Sequence, residues 1–355
     1  MIAIIVETPY QLMNALNIVY SKYKGECMLF ITKDMFMSNK KFIIETNNKY
    51  IKKVFYFRKE AKKINIIGRL FQKVVYKEKR ILLRHIENFD KSCLNIKFNK
   101  IICIKYSGTA IIIQKYMTNN AKIELIEEGI GEYLVNNSLD KNKELSNFIE
   151  RKYLSDPSLY KFSTYTKIEK SPILNDSQEF KELLDDIFSY KKDLNKYKKI
   201  IYFQQSFSID YGMEGFDFLE KKILDLIKEE TDLYNFTIKY HPRYDSEKNS
   251  EFNELETLSP WECSINDLKD INEMILISIC STALITPKLL CDKEPIVICT
   301  IKIYKKYMKE ILKEYNYYEN ALILFNEVKN KYRNKEKFMI PSTLNELKNC
   351  LKMYK

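Results

Sequence analysis

Ile2-Ala3-Ile4-Ile5-Val6-Glu7-Thr8-Pro9-Tyr10-Gln11-Leu12 begins with five apolar residues and turns at once to residues that start helices. An unbroken β-rich run of that length predicts a strand buried on both faces. Proline in the first turn of a helix costs nothing, because its missing N–H has no intrahelical partner there. A buried strand running straight into a helix implies a crossover connection and a parallel sheet. Glu7 breaks the apolar run and no basic segment precedes it, so the stretch is not expected to be a signal peptide.

The same alternation continues outward. Strands are expected at Ile2–Val6, Cys27–Thr32, Lys53–Phe57, Lys100–Lys105 and Lys122–Ile126, with helices at Tyr10–Lys22, Gly68–Phe89 and Thr109–Met117. Residues 136–198 are polar and punctuated by Asp156-Pro157 and Ser171-Pro172. A second series then places strands at Lys199–Gln204, Asn235–Tyr240, Met274–Ile279 and Pro295–Thr300, and helices at Gly215–Glu229 and Thr282–Cys291, before a mostly helical end from Ile303. The expected class is α/β, with two consecutive doubly wound units and a crevice between them. Ligands in such sheets bind beyond the carboxyl ends of the strands.

Composition narrows the chemistry. The chain has 355 residues, 45% hydrophobic and 30% charged, enough for two domains with sizeable cores. No apolar run approaches the roughly 18 residues that a membrane span needs. The eight cysteines form no C-x-x-C pair and mostly sit in apolar runs, which fits core positions in a reducing, cytoplasmic setting. With only His85 and His241 present, a His/Cys metal cage is not expected, and His85 falls among charged residues of a helix surface. The net charge of +11 favours an anionic partner without choosing among nucleotide, nucleic acid, acidic glycan or membrane face. G-x-G-x-x-G, the P-loop pattern and Asp-x-Asp are all absent.

Three short motifs end strands. Glu127-Glu128-Gly129-Ile130-Gly131 spends two of only seven glycines directly after a strand. Glycine there permits positive φ and close backbone approach, and two adjacent carboxylates suit a general base. Tyr240-His241-Pro242-Arg243 delivers a histidine, which exchanges protons near neutral pH, and proline fixes the exit direction. Cys280-Ser281-Thr282 puts two hydroxyls where a helix is expected to start, a position that suits a phosphate. Each has a plain structural reading too: a solvated acidic turn, a turn histidine, an ordinary N-cap.

Taken in order, these motifs resemble those of the bacterial sialyltransferases: an acidic pair with glycine, an H-P pair and an S-S/T pair on a GT-B fold. The opening Thr8-Pro9-Tyr10-Gln11-Leu12 is similar to the N-terminal segment of glycosyltransferase family 52, which includes lipooligosaccharide sialyltransferases; the capsule polysialyltransferases come second. The likeness spans residues 8–282 as motifs, not as continuous similarity. It implies an N-terminal Rossmann-like domain, 1–195, carrying the acceptor side and the base, and a nucleotide-binding one, 196–355. Glu128 matches the catalytic base and His241 the residue at the leaving phosphate. Ser281 and Thr282 match the phosphate-binding hydroxyls, with Pro242 beside them. Glu262, in Pro260-Trp261-Glu262, is the ribose candidate, with Glu256 as its rival. Glu127, Gly129, Thr8 and Gln11 are placed on the substrate side. Both acidic positions are glutamate here, which leaves open which of the two is the base.

The resemblance implies a CMP-sialic acid donor, inversion, no required metal or cofactor, and a surface glycan or glycolipid acceptor ending in a sugar such as galactose. The basic stretches Arg69–Arg84 and Lys302–Lys309 suit either a solvated face or peripheral contact with the anionic inner membrane. A homodimer is compatible with the sequence. Two other functions stay in view: transfer from another nucleotide sugar, as in family 52 glucosyltransferases, and non-catalytic nucleic-acid binding. Against the second, basic residues are dispersed among 48 acidic ones and no nucleic-acid signature is present, so no nucleic-acid partner is expected.

Overall fold

The computed structural model describes residues 1–32, 49–57, 86–87, 95–106, 108–135, 143–213, 215–241, 252–255 and 259–354. Among these, two sheets carry the architecture. The first contains β1 (Ile2–Val6), β2 (Cys27–Thr32), β3 (Ile51–Phe57), β4 (Ile86–Glu87), β5 (Lys100–Cys103), β6 (Ile123–Ile126), β7 (Ile149–Leu154) and β8 (Ile168–Lys170). Their order across the sheet is β4-β3-β2-β1-β5-β6-β7-β8, parallel throughout except for the β3–β4 pair. The second contains β9 (Ile200–Phe203), β10 (Phe236–Lys239), β11 (Ile275–Ser278), β12 (Ile296–Cys299) and β13 (Phe338–Met339), ordered β10-β9-β11-β12-β13 and wholly parallel. This is the α/β class expected from the sequence, with two Rossmann-like lobes built on sheets that are parallel but for one edge pair.

The apolar runs explain the layers. In β1, alternate side chains leave opposite faces. Ile2, Ile4 and Val6 pack under helices Pro9–Ile18 and Gln178–Phe188, while Ala3 and Ile5 pack under helix Gly108–Met117. Strand order reverses between β1 and β5 in the first sheet and between β9 and β11 in the second, the two places where such sheets open a crevice.

Several expectations change. Ile86 and Glu87 form an antiparallel strand with Phe57 and Tyr56, so the helix expected over Gly68–Phe89 does not include them. The rest of that segment, with the basic stretch Arg69–Arg84 and His85, lies outside the described residues, as do Pro242 and Glu256. The polar region 136–198 holds two strands, β7 and β8, and the helical end holds β13. The helix expected over Thr282–Cys291 is a 3-10 turn at Thr282–Leu284 followed by an α-helix only at Thr286–Cys291. No helix among the described residues is long and apolar enough to cross a membrane. In the Lys302–Lys309 segment Tyr304 and Met308 point into the core while Lys305, Lys306 and Lys309 are exposed.

The lobes share packing. Ile130, Tyr133, Leu134, Leu154 and Leu159 of the first lobe belong to the core built around the second sheet. Asn320 Nδ2 donates to the Leu134 carbonyl at 2.9 Å across the same seam.

Candidate active site at the seam between the lobes

Strand β6 ends at Ile126, and the next two residues part company. Glu127 is 4% exposed and Glu128 is exposed. The Glu127 carboxylate accepts from Tyr10 Oη at 3.1 Å, Tyr133 Oη at 2.7 Å, and the Ser155 N–H at 2.8 Å and hydroxyl at 2.5 Å. Burial pushes its pKa up, and the bonds from Ser155, Tyr133 and Tyr10 pull it partly back. A carboxylate gripped by four donors has no open lone pair to offer a substrate proton. Glu128, one residue on, is the exposed acid of the pair.

Gly129 follows with φ +118°, a backbone region that side chains rarely enter. A Cβ built on it would stand 2.7 Å from Thr282 Oγ1, and the Ile130 N–H donates to that same oxygen at 2.9 Å. Thus the acidic motif after β6 touches the hydroxyl motif after β11, and the carboxyl edges of the two sheets meet here. Ser281 caps the 3-10 turn, its hydroxyl accepting from the Ala283 N–H at 3.2 Å. Because the α-helix starts only at Thr286 and runs six residues, its dipole is not what faces the corner. The corner offers hydroxyls and backbone N–H groups instead.

His241 comes two residues after β10, half-buried, on the same carboxyl edge. One strand, β9, separates β10 from β11. At about 4.8 Å per strand, β10 and β11 lie about 10 Å apart, and His241 and the Thr282 corner follow their carboxyl ends.

A second set of titratable groups lies alongside. Glu262, 5% exposed, accepts from Thr286 Oγ1 at 3.2 Å, and burial pushes its carboxyl up to about 7. Burial likewise pulls the Lys239 ammonium down to about 8, against the pull of Glu262 and Asp193. Tyr10 is held well above the usual phenol range by burial and then by both Glu127 and Glu262. The phenol therefore bonds the acidic loop of one lobe and feels the Glu262 charge of the other.

Thr8 and Gln11 form a capping box. The Thr8 hydroxyl accepts from the Gln11 N–H at 3.3 Å, and Gln11 Oε1 accepts from the Thr8 and Glu7 N–H groups at 2.9 and 2.7 Å. Gln11 is fully buried. Among the described residues no group of three or more His, Cys, Asp or Glu side chains is placed to hold a metal ion.

No protein-family model matches the chain, and no curated protein does. Solved structures do resemble it in chain path. The wall teichoic acid polymerase TagF is 11% identical over 99% of this chain and 88% of that one, with a TM-score of 0.46. The UDP-GlcNAc 2-epimerase of Methanocaldococcus jannaschii, in complex with UDP-GlcNAc and UDP, is 12% identical over 100% and 99%, TM-score 0.45. The E. coli heptosyltransferase WaaC, with ADP-2-deoxy-2-fluoro heptose, is 12% identical over 84% and 88%, TM-score 0.40.

Sequence reasoning missed Tyr133, Ser155, Lys239 and Thr286, and gave Tyr10 no role. Ser155 follows a strand that went unread, and Tyr133 sits in a short turn with no pattern of its own. The signal that existed was Ser155-Asp156-Pro157, a turn that follows the charged run Glu150-Arg151-Lys152 after two apolar residues, Tyr153 and Leu154.

Proposed function

We propose that this protein is a glycosyltransferase that moves sialic acid from CMP-sialic acid to a terminal sugar, such as galactose, of a surface glycan, with inversion and without a metal. The observation that carries this reading is the meeting of the Glu128–Gly129 loop with the Thr282 hydroxyl across the two carboxyl edges. The order of motifs similar to glycosyltransferase family 52 supplies the donor.

In this reading the nucleotide lies against the second lobe, its phosphate at Ser281 and Thr282. The acceptor hydroxyl lies against the first, within reach of Glu128. Glu128 takes the hydroxyl proton as that oxygen bonds to the anomeric carbon, a step worth about 10²–10⁴-fold as general-base catalysis. The bond from that carbon to the phosphate oxygen breaks, and its electron pair stays on the phosphate. His241 and the two hydroxyls stabilise that developing charge. Glu127 supports the loop from below, and Glu262 is the ribose partner.

Incubation of the full chain with radiolabelled CMP-sialic acid and galactose-terminated acceptors tests the donor. Transfer, or slow hydrolysis to free sialic acid, supports it; neither product overturns it. Thermal shift with CMP, UDP and GDP adds a second arm, because a ligand of the native state raises the melting temperature. Stabilisation by UDP alone replaces the donor with a different nucleotide sugar.

A further inference from the structure

We infer that the backbone N–H of Ile130 is a positioning group that acts across the seam, turning the Thr282 hydroxyl into a donor toward an anionic oxygen in the cleft. The inference rests on the nucleotide reading of that corner and adds a first-lobe group to the phosphate site. A threonine hydroxyl has one proton and two lone pairs. One lone pair of Thr282 Oγ1 is taken by the Ile130 N–H at 2.9 Å. The hydroxyl proton is thereby excluded from that direction. Among the described residues Thr282 Oγ1 donates to no acceptor, and the residue is only half-buried. An oxygen anion is the partner that takes such a proton with most gain.

The approach depends on Gly129. Its φ of +118° aims the following N–H at Thr282, and any Cβ there would sit 2.7 Å from the hydroxyl oxygen. Glycine at this position thus has a chemical consequence one residue downstream. It also makes phosphate binding depend on the acidic loop: the lobe that holds Glu128 sets the orientation of the hydroxyl that holds the leaving group.

The test uses the full chain, with CMP and cytidine as paired probes in titration calorimetry. Ile130 has φ −56°, close to the fixed value of proline, so Ile130→Pro deletes the N–H at an allowed φ, and its Cδ, standing where the hydrogen pointed, also pushes Thr282 Oγ1 away. The expected result is a loss of about tenfold in CMP affinity for Ile130→Pro and for Thr282→Val, with cytidine affinity unchanged. Thr282→Ser keeps CMP affinity within about twofold, since the hydroxyl and its donor both remain. A purely structural lesion would weaken both probes alike, which is why cytidine is measured. Equal CMP affinity in Ile130→Pro and wild type overturns the inference and leaves the phosphate reading standing. A wild-type chain that binds no CMP, or binds it no better than cytidine, overturns both. Should Ile130→Pro fail to fold, Gly129→Ala pushes the hydroxyl off the N–H by another route; loss of CMP but not cytidine affinity then supports the inference, and no such selectivity overturns it.

Discussion

Glu127 and Glu128 are chemically the same residue placed in opposite surroundings. Glu127 has Tyr10, Tyr133 and Ser155 around it, so it acts as an internal anchor for the loop. We expect Glu128→Gln to lower the transfer rate by about 10²–10⁴-fold while CMP affinity stays at the wild-type value. Glu127→Ala, in contrast, leaves buried donors unpaired and should cost roughly 1–3 kcal/mol in urea denaturation. If Glu128→Gln transfers at the wild-type rate, the base lies elsewhere. The acidic motif was legible because glycine is rare in this chain, the H-P pair because histidine is rarer still, and all three because each ends an apolar run. The anchor was not, since Tyr10 meets Glu127 across 117 residues of chain and no local pattern marks such a pair.

A second residue away from the cleft gives the chain a pH signature. Glu220 is buried under the second sheet, where Tyr202 and Gln204 donate to it at 2.9 and 3.1 Å. Burial pushes its carboxyl from 4.5 to about 7, with the Asp217 charge adding to the shift and the two donors opposing it. Between those values the folded chain holds a proton that the unfolded chain has released. Stability from this group is therefore fully present below about pH 4.5 and falls as pH rises toward 7. The melting temperature should decline across that window, and Glu220→Gln should flatten the decline by up to roughly 3 kcal/mol. A variant with the wild-type slope would remove Glu220 as its source.

At the scale of elements, β1 and β2 match the sequence reading residue for residue because every side chain in them is buried. Strand β7 escaped because Glu150, Arg151 and Lys152 look like a solvated run. Its charges are instead paired: Lys152, 1% exposed, meets Glu132 at 2.5 Å and lies 5.0 Å from the Tyr160 ring centre. Removing one partner of such a pair strands the other charge. Lys152→Met should cost about 3–5 kcal/mol by urea denaturation, and adding Glu132→Leu should recover most of it. A single-variant cost below about 1 kcal/mol would mean that water reaches the pair.

For the whole molecule, the two alternations of strand and helix were visible in the sequence, and so was the crevice they imply. The seam was not visible, because its contacts join residues 152 and 186 positions apart. That seam sets how the lobes behave together. Ile130, Tyr133, Leu134, Leu154 and Leu159 leave the first sheet and complete the core of the second, so neither lobe closes its apolar surface alone. A pair of lobes joined by a mere linker would unfold in two steps, each with its own midpoint. Here loss of the second core exposes the loop that anchors Glu127, and the first lobe loses the turn that ends β6. We therefore expect one calorimetric transition, with equal calorimetric and van't Hoff enthalpies. Leu134→Asp places a charge in the shared core and should split that transition in two, as well as displacing Glu128 from the Thr282 corner. Two separate transitions in the wild-type chain would show instead that the lobes are energetically independent and that the seam contributes position without cohesion.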